Sequence, residues 1–295
     1  MFNANRIVID AFVADALQRY HAAFPSPEPG YEAVIEQAAR TALETLLQCD
    51  CPYHDVQHTL LVADAGQTIL HGRLISQGDV TQLDWIHALV AMLFHDIGYV
   101  RGLLRDDGDD SYIADAAGNR ITLAIGSTDA SLMPYHVARG CMFVQERFSR
   151  HPILDVDVIA LHIDMTRFPV PSDSHFQKVD TFSGLVRAAD LIGQMGDPAY
   201  DRKLAKLFTE FVETGEAERL GYHNALELRV GFPEFFYDQV YPYITEGLRF
   251  LRRTDEGQQW ITSLFHRVQS HQNTPAALAA VENAPNRPQI AVSNQ

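Results

Sequence analysis

No stretch of this sequence is apolar for long enough to cross a bilayer, so no membrane partner is expected. Cationic side chains are few: 23 Lys and Arg stand against 38 Asp and Glu, a formal net charge of -15. With no basic patch to offset that charge, a nucleic-acid polymer would be repelled, although a small phosphate ester could still bind where metal cations supply positive charge locally. Cysteine is scarce as well. Cys49, Cys51 and Cys141 fit neither a disulfide framework nor a paired CxxC zinc site, and read as reduced thiols of a cytoplasmic protein. The opening MFNANRIVIDAFVADALQRY carries acids inside its apolar stretch and lacks a basic leader, so a secretory signal is not expected.

What the chain does have is helical periodicity and enough apolar residues, 46% of 295, to build a sizeable core. The pattern predicts amphipathic helices over 5–23, 31–48, 56–77, 82–98, 130–149, 153–163, 175–194, 199–215, 233–253 and 256–270. In the helix near 200 the expected apolar face is Tyr200, Leu204, Leu207, Phe208, Phe211 and Val212. The prolines and glycine of FPSPEPG separate the first two helices. An all-α multi-helix bundle follows, organised as an N-terminal helix with a proline-rich linker (1–30), a main helical domain (31–271) and a disordered tail (272–295) of small, polar and proline residues.

One segment breaks the period. Residues 105–127 run from RDDGDD through SYIA and RITLA, two β-type stretches around DAAGN, which predicts a short inserted β-hairpin. The acids Asp106, Asp107, Asp109 and Asp110 lack the twelve-residue calcium-loop pattern and read as a solvated loop. The insert follows an apolar helix directly, so it is either a lid over a site or a surface decoration.

The chemistry-bearing residues are histidine and aspartate. In PYHDVQHTLLVA, His54 and His58 are four apart and share one side of a helix start. His95-Asp96 ends the strongly apolar WIHALVAMLFHD, where a buried imidazole beside a buried carboxylate needs a compensating partner, and a divalent metal supplies one. His136, His162 and Asp190 also lie within or at the ends of apolar helical segments. Taken alone, His136 or His162 reads as an ordinary buried histidine. Taken as an ordered set, His58, His95, Asp96, His136, His162 and Asp190 suit Mn, Fe, Co or Zn, with Mg or Mn at a second ion. Two ions use six ligands better than one.

This order, His58, then His95-Asp96, then Asp190, resembles the HD-domain metal-dependent phosphohydrolase superfamily. The likeness is greatest to the catalytic domains of cyclic-nucleotide phosphodiesterases: PYHDVQHT resembles that family's YHNxxHA, IDMT its TDMS, AADLIGQ its CADLSNP and RVGF its QVGF. His136 and His162 are similar to the additional ligands of the HD-GYP phosphodiesterases, with HVARG standing where that family has HPxxG. The resemblance implies a phosphodiesterase-like all-α fold, a dinuclear centre that activates water, His54 as general acid, and Asp164 near the second ion. It also implies a substrate site that includes Tyr53 and Phe232. Three positions depart from the pattern: Asp55 replaces an Asn, Tyr99 a third His, and Arg229 the glutamine that reads the purine. Arg229 either faces a phosphate or sits on a solvated helix surface. Asp55 is equally explained as a helix N-cap.

The expected activity is hydrolysis of a small phosphodiester such as a cyclic nucleotide. Two alternatives stay open: a nucleotidase or phosphomonoesterase acting on another nucleotide, and a non-catalytic ligand-sensing HD module. The oligomeric state is not written in a single chain.

Overall fold

A computed structural model describes residues 3–272. The expectation of a disordered tail falls almost wholly on residues outside this range.

Helix α1 (Ala4–Ala23) is capped by Asn3, whose side chain accepts from the Arg6 N–H, and α2 (Tyr31–Leu46) starts after Gly30, at φ 86°. Helix α3 (Val56–Gln77) has the expected bounds, because the Asp55 carboxylate accepts from the His58 N–H at one end and Gly78 takes a left-handed φ of 69° at the other. A Thr81–Asp84 capping box opens α4 (Gln82–Phe94), and a 3-10 turn (Ile97–Tyr99) follows it. Every residue of α4 from Trp85 to Phe94 is buried, which makes it the central helix.

The expected hairpin is present as β1 (Ser111–Ile113) and β2 (Arg120–Thr122), antiparallel with Tyr112 opposite Ile121. A 3-10 turn (Asp129–Leu132) then leads into α5 (His136–Phe148) and α6 (Val156–Asp164). Helix α7 (Phe182–Met195) begins seven residues later than its periodicity suggested, because Thr181 caps it and 165–181 is irregular, with Pro169 and Pro171 in it. The remaining helices are α8 (Tyr200–Glu213), the short α9 (Glu216–Leu220), α10 (Ala225–Phe235), α11 (Tyr241–Leu251) and α12 (Asp255–Gln272).

Two expectations about this last stretch change. The single helix predicted over 233–253 is α10, a π-turn (Phe236–Val240) and α11. Pro242 has no N–H to offer the preceding turn, and the helix widens where that bond would fall. In α8 the buried face is Tyr200, Lys203, Leu204, Leu207 and Glu210, whereas Val212 is 57% exposed.

Helix α1 buries Ile9, Val13, Ala16 and Tyr20 in the same hydrophobic core as α2, α3, α4 and α7. The most extensive helix pairing is α3 with α7. It is close because of Gly193: a Cβ there would come within 2.8 Å of the Val62 Cα. Val62 lies one turn after His58, and Gly193 three residues after Asp190, so this approach of the two backbones sets the distance between those side chains.

Candidate metal centre

Three elements deliver the polar groups that meet in the apolar interior. The first turn of α3 carries His58, the end of α4 carries His95 and Asp96, and the middle of α7 carries Asp190. Around His58 Nε2 stand His95 Nε2 at 3.3 Å, Asp96 Oδ2 at 3.3 Å and Asp190 Oδ1 at 3.3 Å. His95 Nε2 is 3.2 Å from the same Asp96 oxygen and 3.5 Å from the same Asp190 oxygen. His58, His95 and Asp190 form the one group of metal-ligating geometry found among the described residues.

Hydrogen bonds fix which nitrogen faces inward. His95 Nδ1 donates to the Met92 carbonyl at 2.7 Å, which leaves the Nε2 lone pair directed at the cluster in the neutral ring. Two imidazole nitrogens 3.3 Å apart would repel as bare lone pairs, so either a proton or a cation lies between them. Asp96 Oδ2 makes the same demand, since it is buried and has no hydrogen-bond donor among the described residues. Donor atoms bound to one divalent ion at about 2.1 Å lie about 3.0 to 3.4 Å from one another at right or tetrahedral angles, close to the spacing observed. The residues present therefore fit an ion.

The electrostatics agree. Burial opposes the Asp190 charge, yet the neighbouring His95 and His58 imidazoles hold this carboxyl down at about 2. Asp96 is likewise held well below the usual range by His95 and His58 in spite of its burial. In turn the two carboxylates raise His95 and His58 against the effect of burial. Two buried carboxylates draw two protons onto the imidazoles, and a divalent cation satisfies the same charge balance without them.

His136 joins from α5. Its Nδ1 donates to the Met133 carbonyl at 2.6 Å and its Nε2 lies 3.7 Å from Asp96 Oδ1, the oxygen turned away from His58 and His95. His54 stands on the loop before α3, with its ring edge to face on His58 at 5.7 Å. Tyr53 is buried and packs beside both histidines, with ring centroids 5.1 Å from His54 and 6.0 Å from His58.

Glu210, on α8, went unrecognised in the sequence. It is fully buried, accepts from His54 Nδ1 at 2.6 Å through Oε2, and accepts the backbone N–H groups of Tyr53 and His54 at 2.6 and 3.2 Å through Oε1. Burial works against an imidazolium here, but the Glu210 carboxylate outweighs it and lifts His54 to about 9. The signal for Glu210 was its i+3 spacing from Leu207 on the buried face of α8.

Other expected site residues stand outside the His58–His95–Asp190 group. His162 is one: its Nδ1 pairs with the Ser183 hydroxyl at 2.8 Å, and its electrostatic neighbours are His87 and Asp84. Asp164 ends α6 and accepts from Arg167 at 2.7 Å. Phe232 is a core residue, 2% exposed, between Tyr200 at 5.3 Å and His271 at 4.8 Å, with no face open to a substrate. Arg229 is half-buried on α10 with His271 as its electrostatic neighbour. Nor is Asp107 solvated, although the acidic loop was expected to be. Its carboxylate pairs with the fully buried Arg139 at 2.9 Å.

Fold and site together define an all-α protein with a small hairpin and a buried His-His-Asp group able to ligate a metal. The chain belongs to the Npun_R2479-like family, whose model matches residues 2–274. No curated protein matches it. The family's description names no activity, so a reading of function has to rest on the site.

Proposed function

We propose that this protein is a metal-dependent phosphohydrolase that cleaves a small phosphodiester, with a cyclic nucleotide as the candidate substrate, at a centre of two divalent ions drawn from Mn, Fe, Zn, Co and Mg. The observation that carries the reading is the convergence of His58, His95, Asp96 and Asp190 at mutual distances suited to an ion, with Asp96 Oδ2 buried and facing only the two imidazole nitrogens at 3.2 and 3.3 Å among the described residues. The order of these residues, shared with HD-type phosphohydrolases, selects the chemistry.

Bound there, divalent ions supply an activated water near neutral pH and neutralise charge on the phosphoryl oxygens. His58, His95, Asp96 and Asp190 would hold a first ion, and Asp96 Oδ1 and His136 Nε2, 3.7 Å apart, would contribute to a second. His54 is the proton donor to the leaving alkoxide. Its Nδ1–H is committed to Glu210, so the proton available for transfer is the one on Nε2, and Glu210 keeps the ring oriented after that proton has left. Nearby divalent charge would lower His54 from its raised value toward neutrality, where a general acid works best. Asp55 takes the N-cap role, since its carboxylate accepts from the His58 N–H at 3.1 Å.

A panel of cyclic mononucleotides, cyclic dinucleotides, nucleoside mono- to triphosphates and bis-p-nitrophenyl phosphate, each with Mn and with Mg, tests this reading. The expected result is turnover of a phosphodiester that requires the metal and stops with His54→Ala. Cleavage of monoesters alone would move the assignment to a nucleotidase. No turnover on any substrate would move it to a ligand-sensing module.

A further inference from the structure

Tyr99 stands between the two imidazoles that this mechanism uses for different tasks. Its ring stacks on His54 with centroids 4.7 Å apart at 18°, and on His136 with centroids 4.3 Å apart at 13°. Three near-parallel rings result, with the phenol in the middle. Each outer ring is tethered at Nδ1, His54 to Glu210 and His136 to the Met133 carbonyl, at 2.6 Å in both cases.

The middle ring is held from behind. Arg139 donates to the carbonyls of Gly98 and Val100, the residues on either side of Tyr99, at 2.8 and 2.9 Å. The same guanidinium donates to the Ile113 carbonyl at 2.6 Å and to Asp107 at 2.9 Å, both within the inserted segment. Gly98 also leaves no slack, because a Cβ there would lie 1.9 Å from the His136 carbonyl oxygen. With the outer rings tethered and the phenol braced, the gap between His54 and His136 is filled by one aromatic ring.

We propose that Tyr99 is a positioning residue: a plate that holds His54 for proton delivery, keeps it apart from the cation place that His136 and Asp96 face, and is buttressed by the 105–127 insert. This rests on the phosphodiesterase reading above. A freed imidazole could turn about χ2 and offer its other nitrogen to the ions, so the flat ring, and not the hydroxyl, is the feature that matters.

The test compares full-length wild type with Tyr99→Phe, Tyr99→His and Tyr99→Leu. Three quantities are measured: manganese content, kcat and KM on bis-p-nitrophenyl phosphate, and the downfield NMR signal of the His54 Nδ1 proton bound to Glu210. Phe keeps a flat ring and should stay close to wild type in all three, while His should keep the downfield proton, its added imidazole being free to change manganese content. Leu should keep manganese and KM but lose about a hundredfold in kcat, the value of a positioned general acid, and lose the downfield proton. Leu with wild-type kcat and an unchanged imidazole signal overturns the proposal, as does Phe failing as badly as Leu. If Leu does not fold, Tyr99→Met takes its place, with the same expected losses and the same overturning result. If wild type turns over nothing, the function reading fails, and the imidazole signal of the same variants still settles the role of the ring.

Discussion

Burial of His162 makes an acid-sensitivity prediction that is independent of any ion. Desolvation lowers this imidazole to about 4, with His87 pushing the same way, against an ordinary value of 6.5. A folded pKa below the unfolded one means that the unfolded chain binds the extra proton first. The stability contributed by a neutral His162 is therefore whole above about pH 6.5 and drains away as the pH falls toward 4. The full shift corresponds to about 3 kcal/mol, of which about 2 kcal/mol is lost between pH 7.5 and pH 5. Urea unfolding at those two pH values measures it, with His162→Asn as the control, because Asn keeps a partner for the Ser183 hydroxyl and has no titrating ring. The variant is expected to be less stable at pH 7.5, through lost packing, and to lose about 2 kcal/mol less than wild type on going to pH 5. Equal losses in the two proteins would refute the argument. Loss of bound metal in the variant at pH 7.5 would show that His162 belongs to the centre after all.

Other perturbations probe the frame around the centre. Arg139→Met removes one partner of a buried ion pair and strands the Asp107 carboxylate, so chemical denaturation should show a loss of about 3 to 5 kcal/mol, with the double variant Arg139→Met, Asp107→Leu recovering part of it. Gly193→Ala places a methyl against the Val62 backbone at 2.8 Å and should cost about 1 to 3 kcal/mol in the same assay while weakening metal binding, because α3 and α7 must part where His58 and Asp190 meet.

How far the sequence could be read depended on whether a signal was local. Helix α3 was legible to the residue because Asp55 and Gly78 punctuate both ends, and the hairpin because SYIA and RITLA flank a Gly-Asn turn. His58, His95, Asp96 and Asp190 were legible as polar residues stranded in apolar helices. Partnership across the chain was not. Glu210 serves His54 from 156 positions away, and a periodicity plot shows only which face of α8 is buried, not that the face meets the loop before α3. The same limit misplaced His162: its burial on α6 was readable, but whether it faced Asp96 or Ser183 depended on how α6 sits against α4 and α7. Phe232 was named by a motif likeness, and the packing of α8, α10 and α12 closes it off. Tyr99 looked like a missing ligand in the linear pattern, and only the structure shows its ring stacked on His54 and His136.

The central claim is that His58, His95, Asp96 and Asp190 hold a divalent ion, and equilibrium dialysis of full-length protein against manganese tests it most directly, with circular dichroism to confirm the fold. Wild type should bind manganese saturably, and Asp96→Ala should bind it at least about tenfold more weakly while remaining helical, since removing a carboxylate ligand takes away both a donor atom and half of the compensating charge. An Asp96→Ala protein that binds manganese as tightly as wild type would contradict the account.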